Sequence, residues 1–136
     1  VNKYSATSQS NLDSCDVRLQ RILTEALQIF DHSVICGYRD LSAQLALFLE
    51  KKSKVRMGKH NVKPSLAADV IPYPLTDAND WSKDRDRMIY FAGIVKGLAY
   101  KHGVKIRWGG DWDGDNDLSD QTFYDLAHFE IVEDSS

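Results

Sequence analysis

At 136 residues, with 17 Lys or Arg against 20 Asp or Glu and a formal charge of −3 at pH 7, the chain has room for one domain. It lacks the basic excess of a protein that binds by neutralising nucleic-acid phosphates or an anionic bilayer. A hydrophobic share of 43% and a charged share of 27% are those of an ordinary globular domain that folds without staples. No stretch approaches the roughly 20 apolar residues needed to cross a bilayer, and the opening VNKYSATSQSN has no apolar run of an export signal.

From Asn11 to Phe30, apolar residues recur at helical spacing (Leu12, Cys15, Leu19, Ile22, Leu23, Ala26, Leu27), which predicts one long amphipathic helix. Ser33 to Tyr38 reads as a short strand, and Asp40 to Lys52 as a second helix. Ser53 to Ser65, with four Lys or Arg, one Gly and one Pro, reads as a surface loop. It leads into an apolar strand from Leu66 to Tyr73, which Pro72 and Pro74 close. A third helix is expected from about Ser82 to His102, with Gly103 as its stop. Lys105 to Trp108 reads as a strand, Gly109 to Asp120 as an acidic loop and Ala127 to Val132 as the last strand. With no repeat and no linker, residues 1–136 are expected to form a single α+β domain, helices covering one side of a small, largely antiparallel sheet. Cys15 and Cys36 are too few and too widely spaced for a disulfide framework or a four-thiolate zinc site, and read as buried thiols.

The four histidines differ in their surroundings. His32 and His102 each follow a predicted helix, where the helix dipole favours a cation, and both read as structural. His60 lies on a loop nine residues before Asp69, a carboxylate inside an otherwise apolar strand that needs a positive partner. His128 is flanked by apolar residues in the last strand. Two imidazoles and a carboxylate from separate elements suit a three-ligand zinc site with a fourth position open to water. From spacing alone, a His–Asp pair without metal explains the same residues equally well.

The segments His60 to Asp69 and Asp125 to His128, with GYRD around Arg39 and RWGGDW around Trp108, resemble the M15 family of zinc peptidases over roughly Ile35 to Val132. That family includes D-alanyl-D-alanine carboxypeptidases and dipeptidases and the phage L-alanyl-D-glutamate endolysins. The resemblance implies His60, Asp69 and His128 as zinc ligands, Asp125 as general base and Arg39 as the residue that polarises the substrate. The first motif departs from the family's commonest form: Gly58 stands where a Ser is usual, and two extra residues separate His60 from Asp69. The stretch NVKPS must therefore bulge outward if both side chains are to meet one metal.

Glu130, two residues beyond His128, shares its strand face and reads either as a carboxylate supporting that histidine or as a salt-bridge partner. Trp108 and Trp112 read as groove-lining or core aromatics. Asp111, Asp113, Asp115 and Asp117 alternate like the ligands of a calcium loop, with Asp120 close behind. Asn116 and Thr122 stand where an EF-hand has its Gly and its bidentate Glu, so Ca²⁺ and a solvated acidic turn both remain open.

The leading expectation is a monomeric Zn²⁺ peptidase acting on the bacterial peptidoglycan stem peptide, with no nucleic-acid or membrane partner. Specifically, it is expected to be an L-alanyl-D-glutamate endolysin made in the host cytoplasm and released through a holin-type pore. The alternatives are a D-alanyl-D-alanine carboxypeptidase or dipeptidase, a catalytically inactive metal-containing binding module, and a calcium-controlled binding protein.

Overall fold

A computed structural model describes residues 1–51, 58–120 and 125–133. The predicted long first helix is two: α1 (Ala6–Asp13) and α2 (Val17–Leu27). The apolar spacing runs through both because both bury the same side, but the backbone breaks between them. Ser65 N–H donates to Ser14 O at 2.9 Å and Asp16 N–H to Ser65 O at 2.8 Å, so a distant loop takes backbone groups that a continuous helix would use. Asp16 then caps α2 by accepting from Arg18 N–H.

Strand β1 (His32–Cys36) leads to α3 (Leu41–Leu49), whose first turn is capped by the Asp40 carboxylate on Ala43 N–H. A single 3₁₀ turn, Lys59–Asn61, precedes β2 (Ala67–Pro72). Of the loop expected over residues 53–65, positions 53–57 lie outside the described residues, as does Lys52 at the end of the expected second helix. A second 3₁₀ turn (Trp81–Asp84) opens α4 (Arg85–Lys101), so the third helix begins three residues later than its periodicity suggests. Gly103, at φ +67°, ends it as expected, in the left-handed region that glycine occupies without strain. Strand β3 (Ile106–Gly109) and β4 (Asp125–Ile131) complete a four-stranded antiparallel sheet of order β1-β2-β4-β3.

The architecture is α+β, as expected. Val34, Ala68, Val70, Ile106, Phe129 and Ile131 mesh with Leu12, Ile22, Leu23, Phe91 and Val95 of α1, α2 and α4. Because side chains alternate along a strand, burying Ala68, Val70 and Phe129 turns Asp69 and His128 to the opposite face. The β2–β4 register places Asp69 directly across from His128. An irregularity between Val34 and Cys36 shifts β1 by one residue, so that Cys36 and not Ile35 stands opposite Asp69. Among the described residues, no helix is long and apolar enough to cross a membrane.

The two histidines read as structural do not behave alike. His102 pairs with Glu25 at 2.7 Å at the end of α4. His32 is not a cation at a helix terminus but a buried residue of β1, 2% exposed. Phe30 O can only accept, so the His32 Nδ1–H donates to it at 2.8 Å, and the bare Nε2 faces the Tyr4 hydroxyl. Burial pushes its pKa from 6.5 down to about 4. The folded state therefore disfavours the proton that the unfolded chain accepts, and His32's contribution, complete above pH 6.5, is lost as pH falls toward 4. Denaturant titrations across that window should show His32→Gln losing less stability than the parent, by roughly 3 kcal/mol at the acid end. Equal slopes for the two proteins would rule out His32 as the source.

Candidate metal centre

The site forms on the sheet face away from the helical core. Leu66 N–H donates to Lys59 O at 3.0 Å, which closes the loop between them and leaves Val62, Lys63 and Pro64 exposed. This is the outward bulge that the lengthened first motif requires, and it lets His60, on the 3₁₀ turn, meet Asp69 on β2. The same turn clamps the end of β1: Arg39 N–H donates to His60 O, and Asn61 Nδ2 donates to Arg39 O, both at 2.8 Å.

The hydrogen bonds of the two imidazoles decide which nitrogens are bare. His60 Nδ1 lies 2.7 Å from Gly37 O, which can only accept, so Nδ1 carries the proton. Its Nε2 points at Asp69 Oδ1, 3.2 Å away. His128 Nε2 donates to Glu130 Oε1 at 2.9 Å, leaving Nδ1 facing the same Asp69 oxygen at 3.3 Å. The two rings stand edge to face with centroids 5.2 Å apart. Without a proton or a cation between them, these three atoms would meet lone pair to lone pair, which is unfavourable.

The electrostatics of the three side chains express that conflict. Burial would lower the His60 pKa, but its hydrogen bonds to Asp69 and Cys36 raise it to about 10. His128 is likewise opposed by burial and is raised to about 8 by Asp69 and Glu130. Burial would raise Asp69, yet His128 and His60 hold it well below the usual carboxylate range. The donor set, two imidazole nitrogens and a carboxylate oxygen with each imidazole steadied from behind, fits a divalent ion that favours nitrogen and oxygen ligands, such as zinc. Glu130 fills the supporting part and also lies 3.6 Å from Arg107, so the two readings of this residue hold together.

Asp125, at the start of β4, offers an oxygen within 4.8 Å of Asp69 and His128 ligand atoms. Burial raises its pKa, and the negative charge of Asp69 adds to the effect. Gly109 fixes its place: a Cβ there would stand 1.9 Å from Asp125 O, so only glycine permits this approach of β3 to β4. Arg39 reaches in from the end of β1, its Nη2 3.4 Å from Asp69 Oδ2 and its Nη1 2.7 Å from Gln44 Oε1. All five residues singled out in the sequence therefore lie in one cluster.

Two neighbours escaped the sequence reading. Cys36 is not a core thiol like Cys15; it is half-buried, with Sγ 3.3 Å from Arg39 Nη2 and 3.9 Å from His60 Nδ1. Its signal would have been its place three residues before Arg39. Gln44 is the other, with Ser42 one of two polar residues in α3 and the buried one. Of the tryptophans, Trp108 is core, its Nε1 donating to Leu126 O, whereas Trp112 lies against His128 with ring centroids 5.3 Å apart.

In the acidic loop, carboxylate oxygens of Asp111, Asp113 and Asp115 lie within 4.8 Å of one another. Asp111 is 3% exposed, and its Oδ1 has no hydrogen-bond partner among the described residues. Asp117 is not part of this group; its carboxylate accepts from Ser119 N–H and Oγ. Thr122 and the Asp120 side chain lie outside the described residues.

A purely structural ion cluster has no use for a second buried acid at its rim and a guanidinium held there by its own partner. A hydrolase built around a metal has, and the donor set, acid and guanidinium together suit that class. Comparison with known proteins narrows this. The family model of phage L-alanyl-D-glutamate peptidases matches residues 1–132. The L-alanyl-D-glutamate peptidase of Escherichia phage T5 is 26% identical over 141 residues, covering 96% of this chain and 98% of that protein. The crystal structure of the Serratia marcescens L-Ala D-Glu endopeptidase ChiX superposes with a TM-score of 0.75 at 24% identity, covering 96% of this chain and 91% of that one, which shows a shared fold. The chain belongs to the phage L-alanyl-D-glutamate peptidase family.

Proposed function

We propose that this chain is a zinc-dependent endolysin that hydrolyses the L-alanyl-D-glutamate bond of the peptidoglycan stem peptide, reaching the wall from the host cytoplasm through a holin-type pore. The observation that carries the reading is the convergence of His60 Nε2 and His128 Nδ1 on one Asp69 oxygen, with Asp125 beside them, in a member of this family. His60, Asp69 and His128 would hold the zinc. When bound, zinc supplies the Lewis acidity that makes water an effective nucleophile near neutral pH.

The remaining work falls to the chain's own groups. Asp125 takes the proton from the attacking water and returns it to the amine that leaves as the C–N bond breaks. Arg39 presents a guanidinium to the carbonyl oxygen as charge gathers there. Glu130 keeps the His128 Nε2–H engaged, which holds Nδ1 toward the site. Trp112, packed on the His128 ring, shields that side from water. In the acidic loop, the buried and unpartnered Asp111 Oδ1 beside Asp113 and Asp115 supports Ca²⁺ as a second, structural ion.

Digestion of purified cell wall after chelation, followed by readdition of zinc alone or zinc with calcium, tests these assignments together. New amino-terminal D-glutamate that appears only when zinc is restored is the expected product. Released D-alanine would identify a carboxypeptidase instead. Full recovery on zinc alone would remove the need for calcium.

A further inference from the structure

Helix α3 buries the wrong residue for a helix held by its apolar side chains. Leu41, Leu45 and Leu49 are 56%, 46% and 69% exposed, whereas Gln44 is 2% exposed and is the one buried residue of the helix. Burying an amide is unfavourable unless its hydrogen bonds are met, so a position chosen for stability alone would hold an apolar side chain. Gln44 Oε1 accepts from Arg39 Nη1 at 2.7 Å. The other arm of the same guanidinium, Nη2, then lies 3.4 Å from Asp69 Oδ2 and 3.3 Å from Cys36 Sγ.

A guanidinium is a rigid planar fork, so holding one arm directs the other. The Arg39 backbone is already pinned on both sides by the His60–Asn61 turn. What remains free is its long side chain, and Gln44 restricts that. Asp40 connects the two positions: its carboxylate caps the first turn of α3, and its carbonyl accepts from Gln44 N–H at 3.0 Å, setting the reach of the amide.

We propose that Gln44 is a positioning residue that aims the Arg39 guanidinium at the spot beside Asp69 where the substrate carbonyl gathers charge. The inference rests on the role given to Arg39 above. It predicts that loss of Gln44 weakens stabilisation of the transition state more than binding of the substrate, and that the loss travels entirely through Arg39.

The test uses full-length Gln44→Leu, Gln44→Glu, Arg39→Ala and the Arg39→Ala/Gln44→Leu double variant, assayed on a soluble stem-peptide fragment with zinc content and thermal midpoint recorded for each. Gln44→Leu should lower kcat about 10–100-fold with KM changed less than about twofold and zinc content unchanged. Gln44→Glu keeps an acceptor at the same reach and should restore kcat to within about threefold of the parent. Adding Gln44→Leu to Arg39→Ala should cost nothing further, because the residue through which it acts is gone. Two results would overturn the positioning role while leaving Arg39 in place: a fully active Gln44→Leu beside an impaired Arg39→Ala, or losses that multiply in the double variant. An Arg39→Ala protein with parental kcat would instead remove the role of Arg39 itself, and this inference with it.

Discussion

Asp125→Ala is expected to lose about 10²–10⁴-fold in kcat while still holding one zinc, because proton transfer by a placed side chain contributes on that scale. The two readouts separate because of where Asp125 sits. It neighbours Asp69 and His128, yet neither imidazole hydrogen-bonds to it; His60 and His128 both direct their bare nitrogens to Asp69. The variant should therefore keep its metal and its fold, since the Gly109–Asp125 approach is made by backbone. Turnover of wall fragments together with metal analysis decides the matter. Parental turnover would mean that another group moves the proton. Loss of zinc along with activity would mean that Asp125 is a ligand.

The second large effect concerns metal retention. Asp69→Ala should abolish measurable zinc binding and activity together, since the oxygen on which both imidazoles converge disappears. Glu130→Gln should act more mildly. An amide can still engage the His128 Nε2–H through its oxygen but carries no charge, and removing such outer support typically weakens metal affinity about 10–100-fold. Competition with a chromophoric chelator would rank the three proteins. If Asp69→Ala held zinc as tightly as the parent, the assignment of the centre to His60, Asp69 and His128 would fail.

These expectations draw unequally on the sequence. Helix α4, with its Gly103 stop, and the strands carrying Asp69 and His128 were legible because local signals act alone there: apolar periodicity, a glycine that takes positive φ, an interior acid with no local partner. The five residues Arg39, His60, Asp69, Asp125 and His128 were singled out by the resemblance of their motifs to those of a known peptidase family, and the fold brings all five together. Cys36 and Gln44 were passed over because neither signal marks them. Cys36 reaches the site only through the one-residue register shift in β1, and Gln44 only through the turn of α3 after Asp40.

By itself, then, the sequence determined the α+β class from local periodicity and turn signals and, through its resemblance to a peptidase family, singled out five residues that the fold brings into one cluster. Tertiary structure decided the rest. The split between α1 and α2 depends on Ser65, a residue about 50 positions away that takes the backbone groups of Ser14 and Asp16. Which nitrogen of each imidazole is bare depends on Gly37 O and Glu130, and the aim of Arg39 depends on Gln44. Each of these is a pairing of hydrogen-bonding groups across the fold, and a donor's partner is settled by which acceptor folding brings within about 3 Å, a distance that spacing along the chain does not encode.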